Sequence, residues 1–249
     1  MKLICLNLWG GKINDKMNEY LKKESKSTDI FCFQEVFRRV SGNKEGSGWR
    51  ANLYAELEIL LDGFEGSFAR MISGAGFKET APGVDFGTAI FIKKDFGAKK
   101  TGSEILVKKP TPKSIEIHSK VSSILQWAQI RDLSVFNFHG LAAPKEKLDT
   151  PDRIEQSRKA KKIMDSFPGR KILVGDFNLM PEPESMKILE KGMRNLITES
   201  GITSTRTEFC QLPNKYSDYV LVSPDIKVKK FEVQNLVVSD HLPLVLEFE

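Results

Sequence analysis

The stretch KILVGDF, residues 171–177, constrains the fold of this chain more than any other. Ile172, Leu173 and Val174 are consecutive apolar residues. A strand with one wet face alternates polar and apolar side chains, so an unbroken run needs cover on both faces. The chain must therefore bury a sheet between further layers. The run then stops at Asp176 and Asn178, polar residues for which a packed core has no use.

Other strand-like runs recur along the sequence: KLICLNLW, DIFCFQEVF, FEGSFARMI, FGTAIFIKK, SEILVKK, VSSILQWAQI, LSVFNFHG, YSDYVLVS, VKKFEVQ and LPLVLEFE. A few helix-like segments separate them. One covers 14–24, and ANLYAELEILLDG is another, with Gly63 as its expected C-cap. PDRIEQSRKAKKIMDSF starts on Pro151 and is ended by Pro168, with an inner face of Ile154, Ser157, Ala160, Lys161 and Met164. PEPESMKILEKG reads as a short helix. Many strands with few helices predict an α/β sandwich, with sheets packed face to face and helices outside. The glycine-rich segments 38–50 and 73–85 are expected as loops at one end of it.

No linker, charge block or low-complexity tract divides the 249 residues, so one domain over 1–249 is expected. Hydrophobic content of 40% and charged content of 29% suit a globular protein with a substantial core. The opening MKLICLNLWG is too short for a signal-peptide core, and no apolar run approaches a membrane span. Cys5, Cys32 and Cys210 are odd in number, and the first two sit in apolar runs. A reduced, cytoplasmic compartment, no integral membrane association and a monomer are the expectations. The net charge is +5, and residues 93–120 hold eight lysines and three acids, an excess equal to that charge. Such a run either attracts a polyanion or protects edge strands from aggregation.

Polar residues gather at the ends of these runs. Asn7 follows LICL, Glu35 follows DIFCFQ, and His139 follows SVFNF. Asp176 and Asn178 follow KILVG, Asp218 opens YVLV, and Asp240 and His241 precede LPLVLEF. Singly, each has a structural explanation: a turn, an exposed charge, an Asx turn before Pro181, a satisfied core imidazole. Together, Glu35, Asp176 and Asp240 with Asn7 and Asn178 form a set of hard oxygen ligands suited to Mg²⁺ or Mn²⁺. Zinc spacings, phosphate-binding glycine loops and a nucleophilic-serine elbow are missing from the sequence.

LNLWGG, FCFQEVF, NFHG, VGDFN, SDYVLVS and SDHLP, in that order, resemble the endonuclease/exonuclease/phosphatase (deoxyribonuclease-I-like) superfamily. The resemblance runs from Asn7 to His241. It implies a four-layered α/β sandwich, with two packed, mainly antiparallel sheets flanked by helices. It implies hydrolysis of phosphoesters with a divalent metal, Mg²⁺ or Mn²⁺. Glu35 matches the main metal ligand, Asn7 its neighbour in the metal shell, and Asp240 a metal-linked acid. Asp176 and Asn178 match the residues that hold the attacking water and the scissile phosphate. His139 matches a phosphate contact that assists the leaving group. Asp218 matches the carboxylate that orients His241, itself the general base or a phosphate-stabilising group. Arg153 and Gln156, spaced RxxQ, match a structural feature of the helix that carries them.

The motifs leave the substrate open. Nucleic acid is the first expectation, with Phe37, Arg38, Arg39 and Trp49 as candidate nucleotide contacts. A small or lipid phosphoester, such as inositol phosphate or sphingomyelin, is the alternative. A binding module that has lost the chemistry is disfavoured because every acid and histidine of the pattern is present.

Overall fold

The computed structural model describes residues 1–39, 50–72, 83–108 and 122–249. In chain order the elements are β1 (Lys2–Asn7), α1 (Asn14–Glu24), β2 (Ile30–Arg39), α2 (Leu53–Leu60), β3 (Phe64–Ile72) and β4 (Val84–Lys93). Next come β5 (Lys100–Val107), β6 (Ser123–Ile130), β7 (Leu133–His139), α3 (Pro151–Asp165), β8 (Arg170–Asp176) and α4 (Glu184–Glu190). The chain closes with β9 (Arg194–Asn195), α5 (Leu196–Glu199), β10 (Asp218–Val222), β11 (Val228–Val233) and β12 (Leu244–Phe248).

The strands form two six-stranded sheets, ordered β11-β12-β1-β2-β4-β3 and β5-β6-β7-β8-β10-β9. Each sheet has a parallel pair at its centre, β1 with β2 and β7 with β8, flanked by antiparallel pairs. Residues alternate across each strand. Leu3 and Cys5 join a core that includes residues of both sheets, whereas Ile4 and Leu6 pack with Met17 and Leu21 of α1 and Leu53 and Leu57 of α2. Ala160 and Met164 of α3 and Met186 and Leu189 of α4 belong to the core of the second sheet. The result is the expected four-layered α/β sandwich. Among the described residues no helix is long and apolar enough to cross a membrane.

A polar bridge pins one sheet to the other. Gln34 Nε2 of β2 donates to Asn137 Oδ1 of β7 at 2.6 Å, and Asn137 Nδ2 donates to the Phe33 carbonyl at 2.9 Å. Both side chains are fully buried, so neither tolerates loss of its partner. The bridge fixes β2 against β7 one residue before Glu35 and two before His139.

Two expectations for the helices are corrected. α2 is capped at Leu61, and Gly63 lies beyond it without a positive φ. On α3, Arg153 and Gln156 are buried in place of Ile154 and Lys161. The helix is rotated toward its polar residues because they hydrogen-bond a loop, described below. Its start is as expected, with Pro151 in the first turn and Thr150 accepting from the Arg153 amide at 3.1 Å. Such a cap contributes about 1 kcal/mol.

The glycine of VGDFN has a steric reason. Gly175 has φ +143, and a Cβ there would lie 1.9 Å from the Phe138 carbonyl oxygen of β7. Gly175→Ala should therefore destabilise the fold by about 3 kcal/mol, read from urea unfolding. A variant within about 1 kcal/mol of wild type would contradict this close approach of β7 and β8.

Candidate active site

The two central parallel pairs bring their C-terminal ends to one edge of the sandwich. Asn7 ends β1, and His139 ends β7 directly opposite Asp176 at the end of β8. Asp218 opens β10 opposite Asp176 from the other side. Asp240 and His241 lie just before β12, and His241 forms an isolated bridge with Arg206. Glu35 differs from its expected place. It lies inside β2, where the register with β4 shifts between Phe33 and Val36, and its φ is +55. A bulge of this kind re-aims a side chain, and here it turns Glu35 toward Asn7.

The eight expected residues are brought together. Asn7 Nδ2 donates to Glu35 Oε1 at 3.2 Å and to Asp176 Oδ2 at 3.1 Å. His241 Nδ1 lies 2.8 Å from Asp218 Oδ2, and Thr205 Oγ1 donates to that same oxygen at 2.7 Å. With Nδ1 held by Asp218, Nε2 faces the site, 3.6 Å from Asp176 Oδ2 and 3.8 Å from Asp240 Oδ1. His139 Nε2 is 3.9 Å from Asp176 Oδ2. The Asn178 amide donates to Asp176 Oδ1 at 3.1 Å, and its side chain donates to the Gly140 carbonyl at 3.4 Å.

Burial alone would raise the Asp176 carboxyl. The positive charges around it, from His241, His139, Lys147 and Arg206, outweigh that and hold it well below the usual carboxylate range. Glu35 moves the other way. Burial first, and then Asp240, push it up to about 7. Burial and Arg206 lower His241, but Asp218, Asp240 and Asp176 win and raise it above the usual imidazole value. Burial lowers His139, and its Nδ1 has no hydrogen-bond partner among the described residues.

A cavity of about 220 Å³ opens over these groups, lined also by Trp9, Phe209, Lys145, Lys147 and Arg206. Trp9 lies in the LNLWGG motif with no role assigned to it there, and the other four carry no signal in the sequence. Arg206 Nη2 donates to Asp240 Oδ2 at 2.9 Å, and Nη1 lies against the His241 ring, closest to Nε2. Trp9 and Phe209 lie 5.8 Å apart at the wall, with Phe209 half exposed. Arg206 lies in TSTRTE, where neither periodicity nor spacing distinguishes it, and only the bridge to His241 reveals its place.

Two of the expected nucleotide contacts, Phe37 and Arg38, are engaged within the fold. Phe37 is fully buried against Phe86, 5.0 Å away, so no base can stack on it. Arg38 is committed to Asp85 at 3.3 Å and covers Phe68. Trp49 lies outside the described residues, as does most of both glycine-rich segments. The lysine run divides. Lys93 ends β4 beside Phe64, and Lys100 pairs with Gln129, both at the end of the sheets away from Asn7 and Asp176. Lys108 follows the other end of β5, and the lysines from 109 to 120 lie outside the described residues.

The donor set fits a hard divalent cation. Glu35 Oε2 is buried without a partner among the described residues, and ligand atoms of Glu35, His139 and Asp176 all lie within 4.8 Å of one another. A buried carboxylate oxygen left unpaired is costly unless a cation or proton meets it.

The fold has counterparts among solved structures. A mannosyl-6-phosphatase, Bt3783, from Bacteroides thetaiotaomicron VPI-5482 has a similar fold, with TM-score 0.71 and 18% identity over 100% of this chain and 99% of that one. A Beutenbergia cavernae endonuclease/exonuclease/phosphatase gives 0.73 and 19% over 100% and 71%. The human Nocturnin catalytic domain with bound sulfate gives 0.66 and 17% over 100% and 93%. No curated protein sequence matches the chain. The model of the Endonuclease/Exonuclease/phosphatase family matches residues 4–241, spanning every motif from Asn7 to His241. The chain belongs to the endonuclease/exonuclease/phosphatase family.

Proposed function

We propose that this protein hydrolyses a phosphoester with a divalent metal, Mg²⁺ or Mn²⁺, by in-line attack of water. The observation that carries the reading is the convergence of Asp176 and an Asp218-held His241 on one cavity with the unpaired Glu35 oxygen. Glu35, Asn7 and Asp240 would hold the metal. When bound, the cation neutralises the phosphoryl oxygens and the charge on the leaving oxygen.

The protein's own groups supply the rest. Asp218 fixes the His241 tautomer and supports its protonated form. Asp176 and His241 together take the proton that water gives up. The new P–O bond forms as the bond to the leaving oxygen breaks on the opposite side. His139 and Asn178 contact the phosphoryl group, and His139 assists the departing oxygen.

The substrate we propose is a phosphodiester of DNA or RNA. Lys145, Arg206 and the Trp9–Phe209 pair give the cavity the cations and ring faces that suit a nucleotide. A small phosphoester is the second reading. The modest cavity favours it, as do the described lysines at the far end of the sheets. A panel decides between them: single- and double-stranded DNA, RNA, bis(p-nitrophenyl) phosphate, sugar and inositol phosphates and sphingomyelin, each with Mg²⁺, Mn²⁺ or EDTA. Metal-dependent turnover of DNA or RNA that falls steeply with salt is the expected result. Turnover confined to small phosphates would establish the second reading, and turnover that survives EDTA would sink the metal-dependent mechanism.

A further inference from the structure

We propose that Lys147 is a positioning residue for Asp176 and acts through Ser217. The inference rests on Asp176 being a catalytic carboxylate, as argued above.

Lys147 is 2% exposed. Lysine is almost never buried this deeply unless paired, yet no carboxylate lies within ion-pair distance of it among the described residues. Its Nζ donates instead to the Tyr216 carbonyl at 2.7 Å and to Ser217 Oγ at 2.9 Å. An ammonium only donates, so Ser217 Oγ must accept from it. The single hydroxyl proton of Ser217 is then free to point elsewhere, and it points to Asp176 Oδ1 at 2.6 Å. A charged donor upstream polarises the hydroxyl and strengthens that bond.

The consequence is a carboxylate that cannot turn over. Asp176 Oδ1 accepts from both Ser217 Oγ and the Asn178 amide. Oδ2 is left for Asn7 and for the two histidines. If Lys147 were lost, the Ser217 hydroxyl would be free to turn away, and Asp176 Oδ1 would keep only the Asn178 amide as a donor.

The fold invests in placing this lysine. Lys147 has φ +59, a strained setting for a residue with a side chain. The loop that carries it is held from α3. Arg153 donates to the carbonyls of Leu141 at 3.1 Å, Pro144 at 2.7 Å and Leu148 at 2.8 Å. Gln156 Oε1 accepts from the Leu141 amide at 3.1 Å, and the Met180 amide donates to the Lys147 carbonyl at 3.0 Å. The RxxQ pair therefore shapes the loop from which Lys147 reaches Ser217, which gives that spacing a task.

The test uses the whole chain with Mg²⁺ and bis(p-nitrophenyl) phosphate, comparing wild type, K147M, S217A, the double variant and D176N. K147M and S217A should each lower kcat by about 10- to 100-fold while KM moves less than about threefold. The double variant should be no slower than the slower single, because both cut one chain of hydrogen bonds. A K147M protein with wild-type kcat overturns the proposal, even if its melting temperature falls. So does a double variant in which the two losses multiply. Where K147M does not fold, S217A carries the test, and wild-type kcat in S217A overturns it. D176N separates the two readings. Full activity in D176N removes Asp176 from the chemistry, whereas an inactive D176N beside an active K147M removes only the relay.

Discussion

His241→Ala lowers kcat by about a thousand- to ten-thousand-fold in a protein that remains folded. The ring is the meeting point of the site. Nδ1 is taken by Asp218, and Nε2 faces Asp176 and Asp240 with Arg206 Nη1 against it. Alanine removes the proposed proton carrier and leaves Asp218 with Thr205 as its remaining hydrogen-bond partner. That strands a buried carboxylate oxygen at a cost of about 1–3 kcal/mol, short of unfolding a domain of this size. The loss should fall on kcat, because the ring is needed when the proton moves and not for docking the ester. Asp218→Asn should follow the same direction, since an amide can hold the ring in the wrong tautomer. The measurement is steady-state hydrolysis with Mg²⁺ beside circular dichroism. A folded His241→Ala protein turning over within about tenfold of wild type would remove His241 from the proposed chemistry.

Much of this site is legible in the sequence because its residues sit where apolar runs stop. KILVGD and SVFNFH each end on the residue that the parallel pairing of β7 and β8 delivers to the edge. The same logic locates Asn7. Glu35 was legible as a residue type and misplaced as a position, because a bulge inside a long strand leaves no break in the apolar pattern. Arg153 and Gln156 stand out by their RxxQ spacing, but helical periodicity places Ile154 and Lys161 on the buried face instead. Hydrogen bonds to loop carbonyls overrode the apolar stripe there. Lys147, Ser217 and Arg206 were not legible. Their roles exist only where three distant segments meet, and a surface lysine and a buried one are written with the same letter.

Glu35→Gln is expected to change metal binding and stability together, and pH separates the two effects. Burial, and then Asp240, raise the Glu35 carboxyl from the ordinary 4.5 to about 7. A carboxyl raised in the folded state contributes its stability in full below the unfolded value. That contribution is lost as pH rises through the folded value. Without metal, the wild-type fold should therefore weaken between about pH 4.5 and pH 7 relative to Glu35→Gln, which cannot ionise. By pH 8 the variant should be the more stable in EDTA, by on the order of 2 kcal/mol after allowance for solvent in the cavity. His139, lowered by burial, works in the opposite sense in both proteins, so the difference between them isolates Glu35. Saturating Mg²⁺ should close or reverse the gap, because a cation held there would meet the unpaired Oε2 that a proton otherwise satisfies. By the same linkage, wild-type affinity for Mg²⁺ should tighten as pH rises toward 7 and level off above it. In Glu35→Gln the midpoint of the Mg²⁺ titration should move up by about tenfold or more and lose that pH dependence, and kcat should fall with it. Thermal melts at several pH values, with EDTA and with Mg²⁺, read all of this without any substrate. An unchanged Mg²⁺ midpoint in Glu35→Gln, or a stability difference that stays flat from pH 5 to pH 8, would move the metal away from Glu35.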